Sequence, residues 1–486
     1  MSWGFGGALV VYLLVMYGLG FAAQRRVTDV EDYVLAGRGL SLGLTTLTIV
    51  ATWFGAESLM TTADEVAAEG VRKALLDPLG ISLCLVIAGL FIAGPMWRMN
   101  LMTIPDFFHH RYGKTAEVLS SLILVPSYFG WIAAQYAALA LIISQIYGLP
   151  IEWCIVGTAI LGTGYSLMGG MVSITWTDAL QMLFIVAGLI ILGYEGLRLL
   201  GDGDMVPAVA RVRNESDPRL WRIADDETAV RDWLAALSAV TIGSLGNLPV
   251  QDLMQRIFSA RSDRTAARAC LLGAAGYLMM GLLPIGTGLA AALLLDEVPE
   301  EGVITAVAHR LLSGPLMIVF LLAIVSAVLS TIVSAVMAPA AVMAHNLIEP
   351  AMKHRDPKLS AAGGLMLQRA CVVGVAAAAM LLALSGRGAY ELVQDAYAMS
   401  LVGMFVPFVG GLMLKRVTST AAIASMGVGI GSWLLHVVMG WEHFVGGPWP
   451  VPHEIVDTLL SGGAFWLGLL RRGGNVVGES DSSRRG

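Results

Sequence analysis

Long apolar runs recur along the chain, separated by short polar segments. A helix that crosses the ~30 Å hydrocarbon core needs about 20 mostly apolar residues. Thirteen segments meet this requirement, at residues 3–23, 43–65, 76–99, 118–146, 151–173, 176–196, 233–255, 268–295, 311–345, 368–386, 390–414, 418–440 and 449–470. The pattern therefore predicts an all-α polytopic membrane protein with about 13 transmembrane helices.

Composition agrees with this prediction and narrows the function. The chain is 56% apolar and only 14% charged, against about 25% charged in soluble proteins, and its net charge of −6 argues against nucleic-acid binding. The spans leave no room for a soluble catalytic domain, and we find no metal-ligand cluster, GxSxG motif or phosphate-binding loop. We therefore predict a protein that is not an enzyme. The cysteines lie in apolar stretches and are expected to be buried thiols: Cys84, Cys154, Cys270 and Cys371.

Basic residues concentrate in alternate segments between the apolar runs, for example at 256–268, 353–358 and 415–416. Cytoplasmic loops carry an excess of Lys and Arg. We therefore predict a multi-pass protein of the plasma (inner) membrane, with its N-terminus outside and its C-terminus in the cytoplasm.

One transmembrane domain, residues 1–472, accounts for nearly the whole chain. The polar insert at 197–232 predicts a solvated external loop with a short surface helix or, alternatively, a lid over the external mouth. Residues 473–486 are rich in Gly, Ser and Arg, which predicts a disordered cytoplasmic tail.

Two apolar segments carry helix-breaking residues in their middle. The second span contains Gly55 beside Glu57, and the seventh contains Gly246, Asn247 and Pro249. Discontinuous helices are typical of transporters, where their exposed backbone groups bind ions and solute. Because these spans lie five apart, we predict two five-helix halves, about 43–196 and 233–414, that form an inverted repeat.

The ninth span adds hydroxyl groups on one helix face. Ser330 and Ser334 are separated by four residues, and Thr331 lies beside Ser330. Such oxygens suit Na⁺ when carbonyls of a broken helix lie nearby. Alternatively, they bond to carbonyls of their own helix or to a neighbouring helix.

At these residues the sequence resembles the sodium:solute symporter family, which includes sodium-coupled proline, pantothenate, sugar and sialic acid carriers. The resemblance rests on six segments in family order: EDYVLAGRGL (31–40), ATWFGAESL (51–59), YSLMGGMVSITWTDALQ (165–181), QDLMQRIFSAR (251–261), SAVLST (326–331) and MFVPFVGGLMLKR (404–416). It implies the LeuT-type five-plus-five inverted repeat, with one extra N-terminal helix and extra C-terminal helices. It also implies Na⁺ as the coupling ion, and no cofactor.

The resemblance also implies a set of ion ligands. The family sodium site maps to the carbonyls of Ala51, Phe54 and Ala327 and the hydroxyls of Ser330 and Thr331. Asp178 and Ser334 match either a second sodium site or the exit path of the first ion. Val333 stands where a second site has a hydroxyl, so both interpretations remain open.

Substrate-facing positions follow from the same resemblance and from spacing. Candidates on the broken spans are Trp53, Glu57, Ser58, Asn247 and Gln251. Tyr128, Trp131 and Gln135 follow the i, i+3, i+7 spacing of one helix face, a pattern that helix packing also explains. Gly246 stands where sugar carriers have a gating tyrosine, which argues against a sugar.

Glu57 is the intramembrane acid that the sequence singles out. It has three candidate roles: pairing with a cationic solute, accepting hydrogen bonds from a neutral solute, or a structural bond to another helix. We predict a sodium-coupled symporter in the lipid bilayer that imports a small polar solute, with an amino acid or other amine-bearing solute as the first hypothesis. A membrane sensor that signals through a partner, or a carrier of a carboxylate or sugar, is the alternative. The sequence indicates no particular oligomeric state.

Overall fold

Helices make up nearly all of the described chain. The computed structural model describes residues 2–222, 230–299, 302–355, 360–386, 398–441 and 451–470. The first helices are α1 Ser2–Gln24, α2 Val30–Leu35, α3 Leu42–Trp53, α4 Thr62–Glu69, α5 Val71–Arg98, α6 Ile104–Tyr112, α7 Lys114–Tyr147, α8 Ile151–Gly164, α9 Ser166–Gly201 and α10 Met205–Glu215. The remaining helices are α11 Val230–Thr241, α12 Gln251–Ser259, α13 Asp263–Leu294, α14 Val303–Leu311, α15 Gly314–Lys353, α16 Ala361–Ala383, α17 Ala398–Met413, α18 Ser419–Met439 and α19 His453–Leu470.

Shorter turns complete the helical segments. Single π-helical turns lie at Glu57–Thr61, before α4, and at Ile242–Gly246, after α11. Among the described residues no β-strand occurs, and one parallel bridge joins Leu40 to Ala260. The predicted all-α class is therefore confirmed.

Eight of the described helices are long and apolar enough to cross a membrane by themselves, or nine when the bent pair α11–α12 is counted as one span. Three more apolar helices are shorter: α3, α8 and α17. Every predicted segment overlaps a helix or a broken pair. The count of thirteen membrane crossings and the inverted repeat stay predictions.

Among the described helices that are long enough to cross a membrane, α15 is the most deeply buried, and it packs against α9, α7 and α16. From Phe320 to Val342 every residue of α15 is buried, because neighbouring helices cover all of its faces. The helix is apolar all round, as expected of a span enclosed by protein. Its hydroxyl residues Ser326, Ser330 and Ser334 therefore face other helices and not lipid.

Both predicted helix breaks are present. Helix α3 ends at Trp53, and the chain resumes a helical course only after Gly55. Residues 247–250 separate the π turn after α11 from α12, and the two segments meet at a bend of 42°. These breaks leave backbone groups without their usual intrahelical partners.

The turn between α8 and α9 differs from the prediction, which placed it between residues 173 and 176. Only Tyr165 separates α8 from α9, and the chain then kinks inside α9 at Gly170, where φ is 52°. A Cβ atom on Gly170 would lie 2.2 Å from the Tyr33 carbonyl oxygen, so only glycine fits there. The apolar run continues through this turn, which hid it in the hydropathy pattern.

Four further predictions concern single residues or short segments. The expected surface helix within 197–232 is α10, although α9 extends to Gly201 before it. All four cysteines are buried and unpaired, as predicted. Arg256, counted in sequence as a cytoplasmic loop residue, instead lies fully buried on α12. The proposed tail at 473–486 lies outside the described residues.

Candidate functional site

Four oxygen atoms meet where the broken end of α3 contacts α15. The Ser330 hydroxyl donates to the carbonyls of Ala51 and Ala327, at 2.9 Å each, and the Thr331 hydroxyl donates to Ala327 at 3.1 Å. Ser330 and Thr331 thus bond within their own helix, and Ser330 also reaches α3. Phe54 lies at the break, where its ring packs 5.7 Å from the Tyr277 ring.

Gly55 allows α3 and α15 to come this close. A Cβ atom at this position would lie 2.8 Å from both the Thr331 hydroxyl and the Gln135 amide oxygen. The two contacts belong to different neighbours, α15 and α7. The break at Gly55 therefore brings the four oxygen atoms between α3 and α15 close to the polar face of α7.

A second polar chain runs from the same helices toward α12. The Asp178 carboxylate accepts a hydrogen bond from Thr48, and the Ser334 hydroxyl accepts bonds from Thr52 and from the Arg256 guanidinium. Arg256 also donates to the Asp252 carbonyl at 3.1 Å. All five side chains are buried, so a permanent positive charge occupies the region next to Ser334.

Glu57 and α7 form the first half of the candidate solute site. The Trp131 indole donates to Glu57 at 2.8 Å, and the Gln135 amide nitrogen donates to its other carboxylate oxygen. The Gln135 oxygen in turn accepts the Ala56 N–H at 3.0 Å. Two members of the predicted α7 face therefore hold the carboxylate beside the break.

Asp252 and its hydrogen-bond partners form the second half of the candidate solute site. Its carboxylate accepts hydrogen bonds from the Trp53 indole and the Tyr128 hydroxyl, and its N–H donates to the same hydroxyl at 3.0 Å. A cavity of about 20 Å³ adjoins this group, lined by Ser127, Tyr128, Trp131, Asn247, Val250, Asp252 and Ser400. That volume accommodates a water molecule but not an organic solute. A solute therefore requires α17 or the broken helices to move.

The remaining substrate candidates have other neighbours. Ser58 points toward Tyr277 and lies 3.4 Å from the Asp77 carboxylate. The Gln251 oxygen accepts the Ile104 N–H at 2.7 Å, so this side chain holds the start of α6. Asn247 lines the cavity, and its amide donates to the Gly243 carbonyl at 2.9 Å.

Sequence reasoning missed Asp252 and Arg256, although both belong to the quoted QDLMQR segment. A signal was present, because an acid and a base four residues apart follow the most interrupted apolar run. Charges within or beside a membrane span mark functional positions. Their roles depend on α7 and α15, which are distant in sequence.

Comparison with known proteins gives the family. Residues 33–429 match the model of the sodium:solute symporter family. The chain belongs to this family. The human high affinity choline transporter 1 is 29% identical over 296 residues, which cover 59% of this chain and 50% of that relative. The chain thus spans about half the length of the first curated relatives that it matches. The sodium/glucose cotransporter of Vibrio parahaemolyticus is 23% identical over 445 residues, covering 86% of this chain and 81% of that protein.

A solved structure of a Na⁺-coupled sialic acid symporter, in a substrate-bound outward-open state, has the same fold. The TM-score is 0.81 at 15% identity, over 97% of this chain and 99% of that chain. The family member described here is therefore an integral multi-pass membrane protein whose fold is that of the sialic acid symporter, and its homologues are transporters rather than enzymes.

Proposed function

We propose that this symporter-family protein imports a small amine-bearing organic solute together with Na⁺, by alternating access. The observation that carries the proposal is the pair of carboxylates, Glu57 and Asp252, held by Trp131, Trp53 and Tyr128 at the two helix breaks. Carboxylates attract an ammonium group, and indole and phenol faces stabilise it through cation–π contact.

A quaternary or tertiary ammonium solute fits this chemistry better than an amino acid, our first hypothesis from sequence. An amino acid brings its own carboxylate, which would lie near Glu57 or Asp252 and be repelled. The choline transporters among the relatives support the same preference. Trp53, Glu57, Tyr128, Trp131, Gln135 and Asn247 remain our proposed solute residues, with Asp252 added. The contacts of Ser58 and Gln251 favour structural roles.

For the ion, we propose one Na⁺ held by the carbonyls of Ala51, Phe54 and Ala327 and the hydroxyls of Ser330 and Thr331. Four of these oxygens already meet between α3 and α15. A dehydrated cation in a membrane interior needs several such oxygen ligands to offset its lost hydration.

A second sodium site is disfavoured by Arg256. Its guanidinium is hydrogen-bonded to Ser334, one of the two residues proposed for that site, and would repel a cation there. We therefore propose that Asp178 and Ser334 belong to the ion's exit path, where Arg256 competes for the Ser334 hydroxyl.

For the architecture, we propose a single membrane domain over residues 1–472, with the two inverted halves at 43–196 and 233–414. The broken segments α3–α4 and α11–α12 fall at corresponding places in these halves, which supports the repeat. The distribution of Lys and Arg supports an external N-terminus and a cytoplasmic C-terminus.

Uptake into proteoliposomes tests the proposed function. Purified protein would be reconstituted, and an inward Na⁺ gradient would be imposed in the presence of labelled choline, an amino acid, a sugar or a carboxylate. We expect Na⁺-dependent accumulation of the quaternary ammonium solute, abolished when K⁺ replaces Na⁺. Accumulation of only the sugar or carboxylate would overturn the solute class. Saturable binding of a solute without accumulation would favour the sensor.

A further inference from the structure

A cluster of two histidines and an aspartate lies between the last two described helices and shares no residue with the candidate solute site. His436 lies near the end of α18, and His453 and Asp457 occupy the first turns of α19. The helices are packed closely along their length, since the Ser425 and Ser461 hydroxyls are 2.8 Å apart. This packing brings together residues whose sequence spacing matches no metal motif, so the sequence alone does not predict the cluster.

The geometry of the donor atoms suits a small metal ion. One donor from each residue lies within 4.8 Å of the other two. Asp457 carboxylate oxygens lie 3.1 Å from His453 Nδ1 and 3.4 Å from His436 Nδ1. Ligands that bind Zn²⁺ tetrahedrally at 2.0–2.1 Å are separated by about 3.3 Å. The separation between His453 Nδ1 and Asp457 therefore matches one edge of a zinc coordination shell.

Neighbouring polar groups contact the three side chains in the way that the second coordination shell of a metal site contacts its ligands. The Ser432 hydroxyl donates to Asp457. The Ser432 carbonyl lies 2.8 Å from His436 Nδ1 and accepts its hydrogen bond, which leaves Nε2 of His436 as the nitrogen for a metal ion. Glu454 lies 3.5 Å from the second ring nitrogen of His453. Carboxylates and carbonyls in these positions fix the imidazole rings of metal ligands and raise their basicity.

We propose that His436, His453 and Asp457 form a binding site for a Zn²⁺-type transition-metal ion. Two imidazoles and one carboxylate, completed by water, are a donor set typical of zinc and disfavoured by Na⁺, Ca²⁺ and Mg²⁺. All three side chains are largely buried, with Asp457 fully enclosed and His453 at 12% exposure. The residual exposure of His453 gives an ion access to the site. A bound ion would fasten α18 to α19 at one end.

Zinc binding to the full-length protein in detergent tests the site, after removal of any affinity tag and treatment with a chelator. Competition with a fluorescent zinc indicator should give one tight site in the wild type. We expect His453→Ala and Asp457→Asn to weaken it at least 100-fold, and Glu454→Gln to weaken it about 10- to 100-fold. His309→Ala removes an exposed histidine of α14 and should leave the affinity unchanged.

Co²⁺ provides a measurement that does not depend on the variants folding. In the wild type, Co²⁺ should give the intense visible absorption of a tetrahedral site, and Zn²⁺ should displace it. Zinc affinity that is equal in the wild type and the His453 and Asp457 variants would overturn the proposal. A wild-type protein that gives no such Co²⁺ band would also overturn it, and the cluster would then be a hydrogen-bonded helix contact only.

Discussion

The Ser330 hydroxyl lies 2.9 Å from the Ala51 carbonyl oxygen, across 279 positions of sequence. This bond joins the buried helix α15 to the last turn of α3, just before the helix breaks. The hydrogen bond holds the hydroxyl oxygen and the carbonyl oxygen side by side, so that both can contact one ion. The contact therefore gathers hard oxygen ligands where the broken helix cannot satisfy all its own carbonyls.

Replacing Glu57 by Gln should weaken solute binding. The substitution keeps the size of the side chain but removes the charge beside Trp131, so a cationic solute loses its counter-ion. We expect the apparent solute affinity to fall about 10- to 100-fold, equivalent to ~1.4–2.8 kcal/mol, with sodium affinity within about twofold of the wild type. Concentration-dependent uptake in proteoliposomes measures both quantities.

Glu69→Gln is the matched control, because it makes the same chemical change on α4 at an exposed ion pair with Lys73. It should behave as the wild type. Unchanged solute affinity in Glu57→Gln would exclude charge pairing and leave the structural role for Glu57.

Asp252→Asn should damage both transport and stability. The carboxylate accepts from Trp53 and Tyr128, whereas an Asn side chain offers one acceptor and directs an NH₂ group at the other donor. We expect a loss of about 1–3 kcal/mol from the free energy of unfolding and a loss of Na⁺-driven uptake. Thermal unfolding in detergent and uptake assays measure these effects. A fully stable, fully active variant would contradict the position given to Asp252, and Asp263→Asn on the surface is the control.

The orientation predicts which surfaces react with impermeant reagents. A cysteine at the exposed position Asn214, on α10, should be labelled by a membrane-impermeant maleimide in intact cells. A cysteine at the exposed position Arg264, on α13, should be labelled only after the membrane is opened. The native cysteines are buried and give little background. The reverse labelling pattern would invert the topology.

Asp106 fixes the start of α6 and gives a pH-dependent prediction. Its carboxylate accepts the N–H groups of Met102 and Thr103, each at 3.0 Å, and lies 3.3 Å from His345. Burial opposes ionisation, but hydrogen bonds, the largest contribution coming from His345, lower the pKa of Asp106 from 3.8 to about 2. A lowered folded-state pKa stabilises the protein above pH 3.8, and this contribution is lost as the pH falls toward 2.

Asp106→Asn should therefore cost about 1–3 kcal/mol of stability at pH 7. The difference from the wild type should be unchanged at pH 5 and smaller at pH 3, as thermal unfolding at the three pH values would show. A difference that vanishes between pH 7 and pH 5 would show that the pKa of Asp106 is not lowered.

The apolar runs and the helix-breaking residues made much of this architecture predictable from the sequence. The apolar runs located the long helices, and Gly55, Asn247 and Pro249 located both breaks, because a bilayer tolerates such residues only where a helix is interrupted. The turn at Gly170 was misplaced, since its cause is a close approach to Tyr33 that no local pattern reveals. Family resemblance placed Ser330 and Thr331 near α3.

Long-range packing supplied what the sequence could not. Gln251 was predicted to contact the solute, but its amide oxygen accepts a hydrogen bond from the backbone at the start of α6. The neighbouring residue Asp252 instead accepts a hydrogen bond from Tyr128. The burial of Arg256 depends on α15, and the cluster at His436 depends on how α18 packs against α19. The contacts of Asp252 and Arg256 join segments far apart in the chain, and the cluster at His436 depends on the packing of two consecutive helices. One sequence contains no direct signal for either kind of relationship.

The sodium dependence of solute uptake in the Ser330→Ala/Thr331→Ala double variant tests the central claim most directly. The variant leaves only backbone carbonyls for the ion. Ser326→Ala is the control, because it removes a hydroxyl from the same helix that bonds to Tyr12 at 2.9 Å, on the side of α1. We predict that half-maximal activation of uptake requires at least tenfold more Na⁺ in the double variant, with the Ser326 variant unchanged. Wild-type sodium activation in a correctly inserted double variant would contradict the account.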